Sequence, residues 1–326
     1  MGLRGVGALP LPRGLRLLRH RQSRRFGGGV ALSHPGHHPV GGEDPGSQIG
    51  AAMKWIKRYG PYLVLYGVAF LWIIPILWMA DTAFKPTRDI FSIPPKWIPS
   101  HFTTEHVERL FAEWPFARWL LNSLIVASFV TLGSLVVSVP AAFSFSRLHW
   151  KGRDAVFMFL LVFMLLPWQV NIIPLFFMMT KFKFLNTYQG VALPMIAMPI
   201  GVFLLRQFFI NIPRDLEDAA RIDGCSSLGV LLRVILPLSK PVLAAFSVYI
   251  FNYAWNEFFW SMICLRKPQM VTLPVGLKIL QGAFEIDYGL ILAGAFMASL
   301  PSLMVFLLLR RQIIRGFTLA GSGVKG

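Results

Sequence analysis

The chain has 326 residues, of which 55% are hydrophobic and 14% charged, and its mean hydropathy is +0.58. An average soluble domain carries about 25% charged residues, so much of this surface must face lipid rather than water. Two cysteines (Cys225 and Cys264) exclude a disulfide scaffold, and the net charge of +17 is spread rather than clustered. Residues 1–50 hold seven arginines and two acids; the rest holds 25 basic and 13 acidic groups set among apolar runs. That pattern fits a membrane protein with positive inner loops and not a nucleic-acid binder.

Residues 1–52 come first, rich in Gly, Pro and Arg, with no acid before Glu43. A transit peptide would share the arginines but would also be Ser-rich and amphipathic. The histidines His34, His37 and His38 lack a Cys or acid at ligand spacing, so no metal site is expected. The segment reads as a disordered extension, translated from an upstream start, because Met53-Lys54-Trp55-Ile56-Lys57 resembles a cytoplasmic lead into a first helix. The region 53–326 is expected to form one transmembrane domain.

A spanning helix needs about 20 apolar residues to cross about 30 Å of hydrocarbon. Five stretches meet that length without a charge: 61–80, 119–146, 155–180, 184–205 and 288–309. A sixth, 241–265, is interrupted only by Glu257. The runs are continuous and lack the alternation of a membrane barrel, so the fold class is an all-α membrane protein with six spans. The flanks Lys54, Lys57, Arg58 and Arg310, Arg311, Arg315 carry no acid, and the 146–154 connection carries Arg147, Lys151 and Arg153. Both termini are therefore expected in the cytoplasm.

Polar groups inside the runs are few. Gln169 and Asn171 lie in the third span, and Asn252, Tyr253, Asn256 and Glu257 in the fifth. Such groups are costly in lipid and should face a bundle interior, either lining a path or hydrogen-bonding between helices. The phosphate-loop motif G-x-x-x-x-G-K-[ST], H-E-x-x-H and G-x-S-x-G are all missing, so no catalytic residue is expected and this chain should bind no ATP itself.

The segment 211–240 carries the densest signal. Pro213 suits a first helical position, while Asp215, Glu217 and Asp218 suit the positive end of a helix dipole. Gly224 predicts a left-handed stop. A second amphipathic stretch, with Leu228, Leu231, Leu232 and Ile235 at helical spacing, is expected to run until Pro237 breaks it. Taken alone, this is a helical hairpin packed on its own bundle.

Asp218-Ala219-Ala220, three residues, Gly224, nine residues, then Val234-x-Leu236-Pro237 resembles the EAA loop of ABC-importer permeases, with Asp218 in place of Glu and Val234 in place of Ile. Leu166-Pro167-Trp168-Gln169-Val170-Asn171, Leu185-Asn186-Thr187, Leu205-Arg206-Gln207 and Trp255-Asn256-Glu257-Phe258 resemble the carbohydrate-uptake branch, the maltose-type permeases, and among these the smaller, maltose-G-like partner. The resemblance covers residues 54–326. It implies a type I importer bundle of six helices with cytoplasmic coupling helices in the inner membrane. It also implies a second permease subunit, two ABC ATPase subunits holding ATP and Mg, an extracytoplasmic sugar-binding protein, and a sugar cargo of the trehalose or maltose kind. By the same resemblance Glu217, Asp218, Ala219, Ala220, Asp223, Gly224, Leu236 and Pro237 would form the ATPase-coupling element. Glycerol phosphate or a polyol is the rival cargo, and a secondary sugar transporter is the rival class.

Overall fold

The computed structural model describes residues 45–282 and 286–322. Residues 1–44 of the expected disordered extension lie outside that range. The chain divides into two compact units between Leu65 and Tyr66. Of the first unit, the described part is the opening of α1 (Pro45–Ala83), where Arg58 sits 5.6 Å from the centre of the Tyr59 ring. The helix starts inside the segment expected to be disordered, with Pro45 at its first position, where a missing N–H costs nothing.

In the second unit, α2 (Thr87–Ile90) and α3 (Glu105–Glu113) follow α1, and then comes α4 (Phe116–Arg147). The chain continues through α5 (Arg153–Leu165), α6 (Ile172–Lys181), α7 (Tyr188–Ile196) and α8 (Pro199–Ile210). The loop segment supplies α9 (Asp215–Ile222), α10 (Ser227–Val230) and α11 (Leu236–Leu238). Last come α12 (Lys240–Trp255), α13 (Phe259–Cys264), α14 (Leu273–Gln281) and α15 (Tyr288–Ser322). No strand occurs among the described residues.

Helix α4 is the hub, packing on α7, α8 and α12, while α12 also packs on α15. The close crossing of α4, α8 and α12 depends on Gly201. A Cβ there would lie 2.4 Å from the Phe246 ring and 2.7 Å from Ser138 Oγ. No larger residue fits without moving a buried aromatic.

Six unbroken spans are not what forms. Three helices are long and apolar enough to cross a membrane, within Lys57–Ala83, Phe116–Arg147 and Tyr288–Gln312; counting each bent pair as one span raises the number to six. The expected span 155–180 turns through 95° between α5 and the Trp168–Lys181 stretch. Pro167 is the cause, since the residue before a proline is driven out of helical geometry, and Leu166 stands at ψ 129°. The expected span 184–205 bends by 42° ahead of Pro199. The expected span 241–265 stops at Trp255 and restarts as α13, where the Glu257 carboxylate accepts the Trp260 N–H at 2.5 Å. The third bent pair joins Ser227–Leu238 to α12 at 80°.

Candidate functional site

The segment between α8 and α12 is built from its caps. Arg214 is the N-cap of α9 and Asp215 its first helical residue, so Pro213 lies one position before the cap rather than inside the helix. Asp215, Glu217 and Asp218 fill the first turn, where carboxylates oppose the exposed amide dipoles. At the other end Gly224 stands at φ +84°; its N–H donates to Arg221 C=O at 3.0 Å, and the Cys225 N–H donates to Ala220 C=O at 2.9 Å. This pair of bonds is a Schellman motif, and the left-handed residue it needs is Gly224.

The two faces of α9 differ. Asp218, Ala219, Asp223 and Gly224 are exposed, and so are the large apolar side chains Leu216 and Ile222; Ala220 is half-buried. Glu217 turns the other way and is buried. Glu217 is expected within the coupling element, but its side chain faces the bundle and is not part of the exposed surface of α9. Glu217 Oε1 ion-pairs with Arg147 Nε at 2.8 Å, and Arg147 is itself buried at the end of α4. The same guanidinium donates to the Ile212 carbonyl at 2.6 Å and to the Phe209 carbonyl. Phe209 lies in the last turn of α8 and Ile212 two residues past its end, where carbonyls lack the N–H four residues on that a helix interior supplies. One cation therefore fastens α4, α8 and α9 together. In the sequence Arg147 is only one of the positive charges of the 146–154 connection. An arginine directly after an apolar run was the available signal, but burial cannot be read from it.

Beyond Gly224, Ser226 caps α10 by accepting the Gly229 N–H at 3.2 Å. A π turn at Leu231–Ile235 follows, in which the Leu236 N–H reaches five residues back to Leu231. The helical path does not stop at Pro237; it passes through to Leu238 and bends at Ser239. Widening the turn just ahead of the proline accommodates its missing donor. Leu236 is half-buried and Pro237 exposed.

The six polar groups read as path candidates do not converge. Asn171, Tyr253 and Glu257 share a cavity of about 230 Å³ with Trp168 and Trp260. Asn252 and Asn256 line another, of about 360 Å³, with Trp255, Ser299 and Ser302. Gln169 is exposed on the turn between α5 and α6. The amide of Asn252 in α12 donates to Val248 C=O at 3.1 Å, and that of Asn256, the C-cap of the helix, to Asn252 C=O at 2.8 Å. One NH₂ proton and the amide oxygen of each side chain stay available to the cavity. Ser299 and Ser302 were missed in the sequence, because isolated serines in an apolar run carry no pattern of their own.

Residues 134–313 match the family described as binding-protein-dependent transport system inner membrane component. The chain belongs to that family. Relatives of these permeases include the arabinooligosaccharides transport system permease protein of Halalkalibacterium halodurans, 34% identical over 79% of this chain and 93% of its own length. The diacetylchitobiose uptake system permease protein of Streptomyces coelicolor is 33% identical over 78% of this chain and 92% of its own. The sn-glycerol-3-phosphate transport system permease protein of Shigella flexneri is 30% identical over 80% and 96%. In fold the permease is similar to a chain from the crystal structure of a bacterial ABC transporter involved in alginate import, with a TM-score of 0.69 and 21% identity over 82% of this chain and 98% of that one.

Proposed function

We propose that this permease is one of two membrane subunits of an ATP-driven inner-membrane importer whose cargo is an oligosaccharide. The observation that carries the reading is the outward face of α9. It presents Leu216, Ala219 and Ile222 to solvent beside Asp218 and Asp223, while its inward face is locked to α4 and α8 through Glu217 and Arg147. An exposed apolar strip on a rigidly capped helix is suited to a partner's cleft.

On this reading Asp218 is the acidic contact, Ala219 and Ala220 the close-packed face, and Gly224 the stop that fixes the helix end. The partner ATPase subunits hold ATP and Mg and close on binding them. The α9 hairpin follows as a lever, and the membrane helices open toward an external sugar-binding protein. Cargo then passes the cavities flanking α12, where indole rings suit the apolar faces of sugar rings and amides and hydroxyls suit their OH groups.

Relatives carry arabinooligosaccharides, diacetylchitobiose and glycerol phosphate in their names. Among the described residues neither cavity is lined by a lysine or arginine, which favours a neutral sugar over a phosphate ester. The test is uptake by a deletion strain carrying this gene, assayed with labelled arabino- and chito-oligosaccharides and with glycerol phosphate. ATP-dependent accumulation of an oligosaccharide is expected. Accumulation that persists without ATP, driven by an ion gradient, would assign the chain to the secondary transporters instead.

A further inference from the structure

The stretch between α1 and α3 buries two of its charged side chains and exposes its largest apolar ones. The Lys85 side chain is 2% exposed: its Nζ lies 2.5 Å from Asp81 Oδ2, donates to Lys96 C=O at 2.7 Å, and stands 4.9 Å from the centre of the Trp78 ring. The Asp89 side chain is 1% exposed; its carboxylate accepts from Lys96 Nζ at 2.6 Å and from the Ser100 N–H at 2.8 Å. The Thr103 N–H closes the loop onto Phe84 C=O at 2.9 Å. With Lys85 and Asp89 inside, and only Arg88 and Lys96 of the charged groups outside, the bulky apolar groups are outside: Ile93 is 97% exposed and Ile98 80%, and Phe91, Trp97 and Phe102 are exposed as well. A loop meant for water does the reverse.

Position says which medium covers it. The spanning part of α1 ends at Ala83. Trp97 packs edge-on against Trp78, with ring centres 4.8 Å apart. Trp78 lies five residues back, about 7 Å along the axis at about 1.5 Å per residue. Trp97 thus stands beside the last part of the span and not beyond it. A groove of about 280 Å³, walled by Phe70, Leu77, Trp78 and Trp97, continues from the loop onto α1. On the same helix Phe70, Leu71 and Trp72 are exposed. Arg88 is exposed on the same loop. Tryptophan beside a cation at a span's end is the arrangement found at lipid headgroup level.

We propose that residues 91–102 form an interfacial anchor seated at the boundary between headgroups and acyl chains, with Ile93, Trp97 and Ile98 on the acyl side. The buried Lys85 and Asp89 act as internal struts holding the backbone in that shape. This role is independent of the cargo and of the coupling element.

The test uses the full chain carrying Cys225→Ser, since Cys264 is buried. An environment-sensitive fluorophore is attached at Ile93→Cys or Ile98→Cys, or at exposed Glu105→Cys as the aqueous control. Each variant is placed in phosphatidylcholine nanodiscs with and without a spin label near the top of the acyl chain. Labels at 93 and 98 should emit at shorter wavelength than the label at 105 and lose at least half their intensity to the spin-labelled lipid. Emission at 93 and 98 matching the control, without quenching, overturns the proposal. So does a shortened wavelength without quenching, because the cover would then be protein and not lipid.

Discussion

Gly224 and Asp218 test the proposed coupling role of the α9 segment at the scale of single residues. Nothing crowds a Cβ at Gly224, so its φ of +84° alone sets the cost of replacement. A β-branched residue should add on the order of 1–2 kcal/mol of local strain. Gly224→Val is therefore expected to insert normally but to co-purify with less ATPase and to lose uptake. Asp218→Lys should act similarly by reversing an exposed charge, whereas Asp218→Glu should be nearly silent. Full ATPase binding and full uptake in both Gly224→Val and Asp218→Lys would remove this loop from the coupling role. Glu217 makes a different prediction. Glu217→Gln leaves the Arg147 cation buried without its partner, a change on the order of 3 kcal/mol. The variant should melt earlier, and replacing both residues by methionine should recover stability without recovering uptake. Recovery of both would reduce the pair to scaffolding.

At the scale of elements, the sequence told where the apolar runs lie, because lipid demands length and composition alone. It could not tell where they break. Leu166, Ala197 and Asn256 sit inside runs with no polar interruption beside the first two, and only the backbone consequences of Pro167, Pro199 and the Glu257 carboxylate end those helices. The prolines were visible, yet membrane helices also carry proline without breaking. The outward face of α9 was legible from its caps; the inward turn of Glu217 was not, since three acids in a first turn look alike until α4 is placed beside them. The Gly201 crossing offers a check on the packing. Gly201→Ala pushes on Phe246 and should cost about 1–3 kcal/mol, read as a lower melting temperature of the solubilised chain. Adding Phe246→Leu should return part of it. No loss in the single variant would mean that the three helices do not meet this closely in the membrane.

The whole molecule is a family permease whose orientation can be checked directly. Cysteines at Lys54 and Gly321 are expected to be shielded in intact cells from an impermeant thiol reagent and to react once the membrane is opened. Labelling of either from outside would invert the topology and move the α9 hairpin away from any ATPase. The junction of α4, α8 and α9 also has a consequence for descent. Either member of the Arg147–Glu217 pair, left without the other, is a desolvated charge, so neither can be lost first without harm. Among related permeases the two positions should then change together or not at all, a linked inheritance written by one guanidinium between three helix ends.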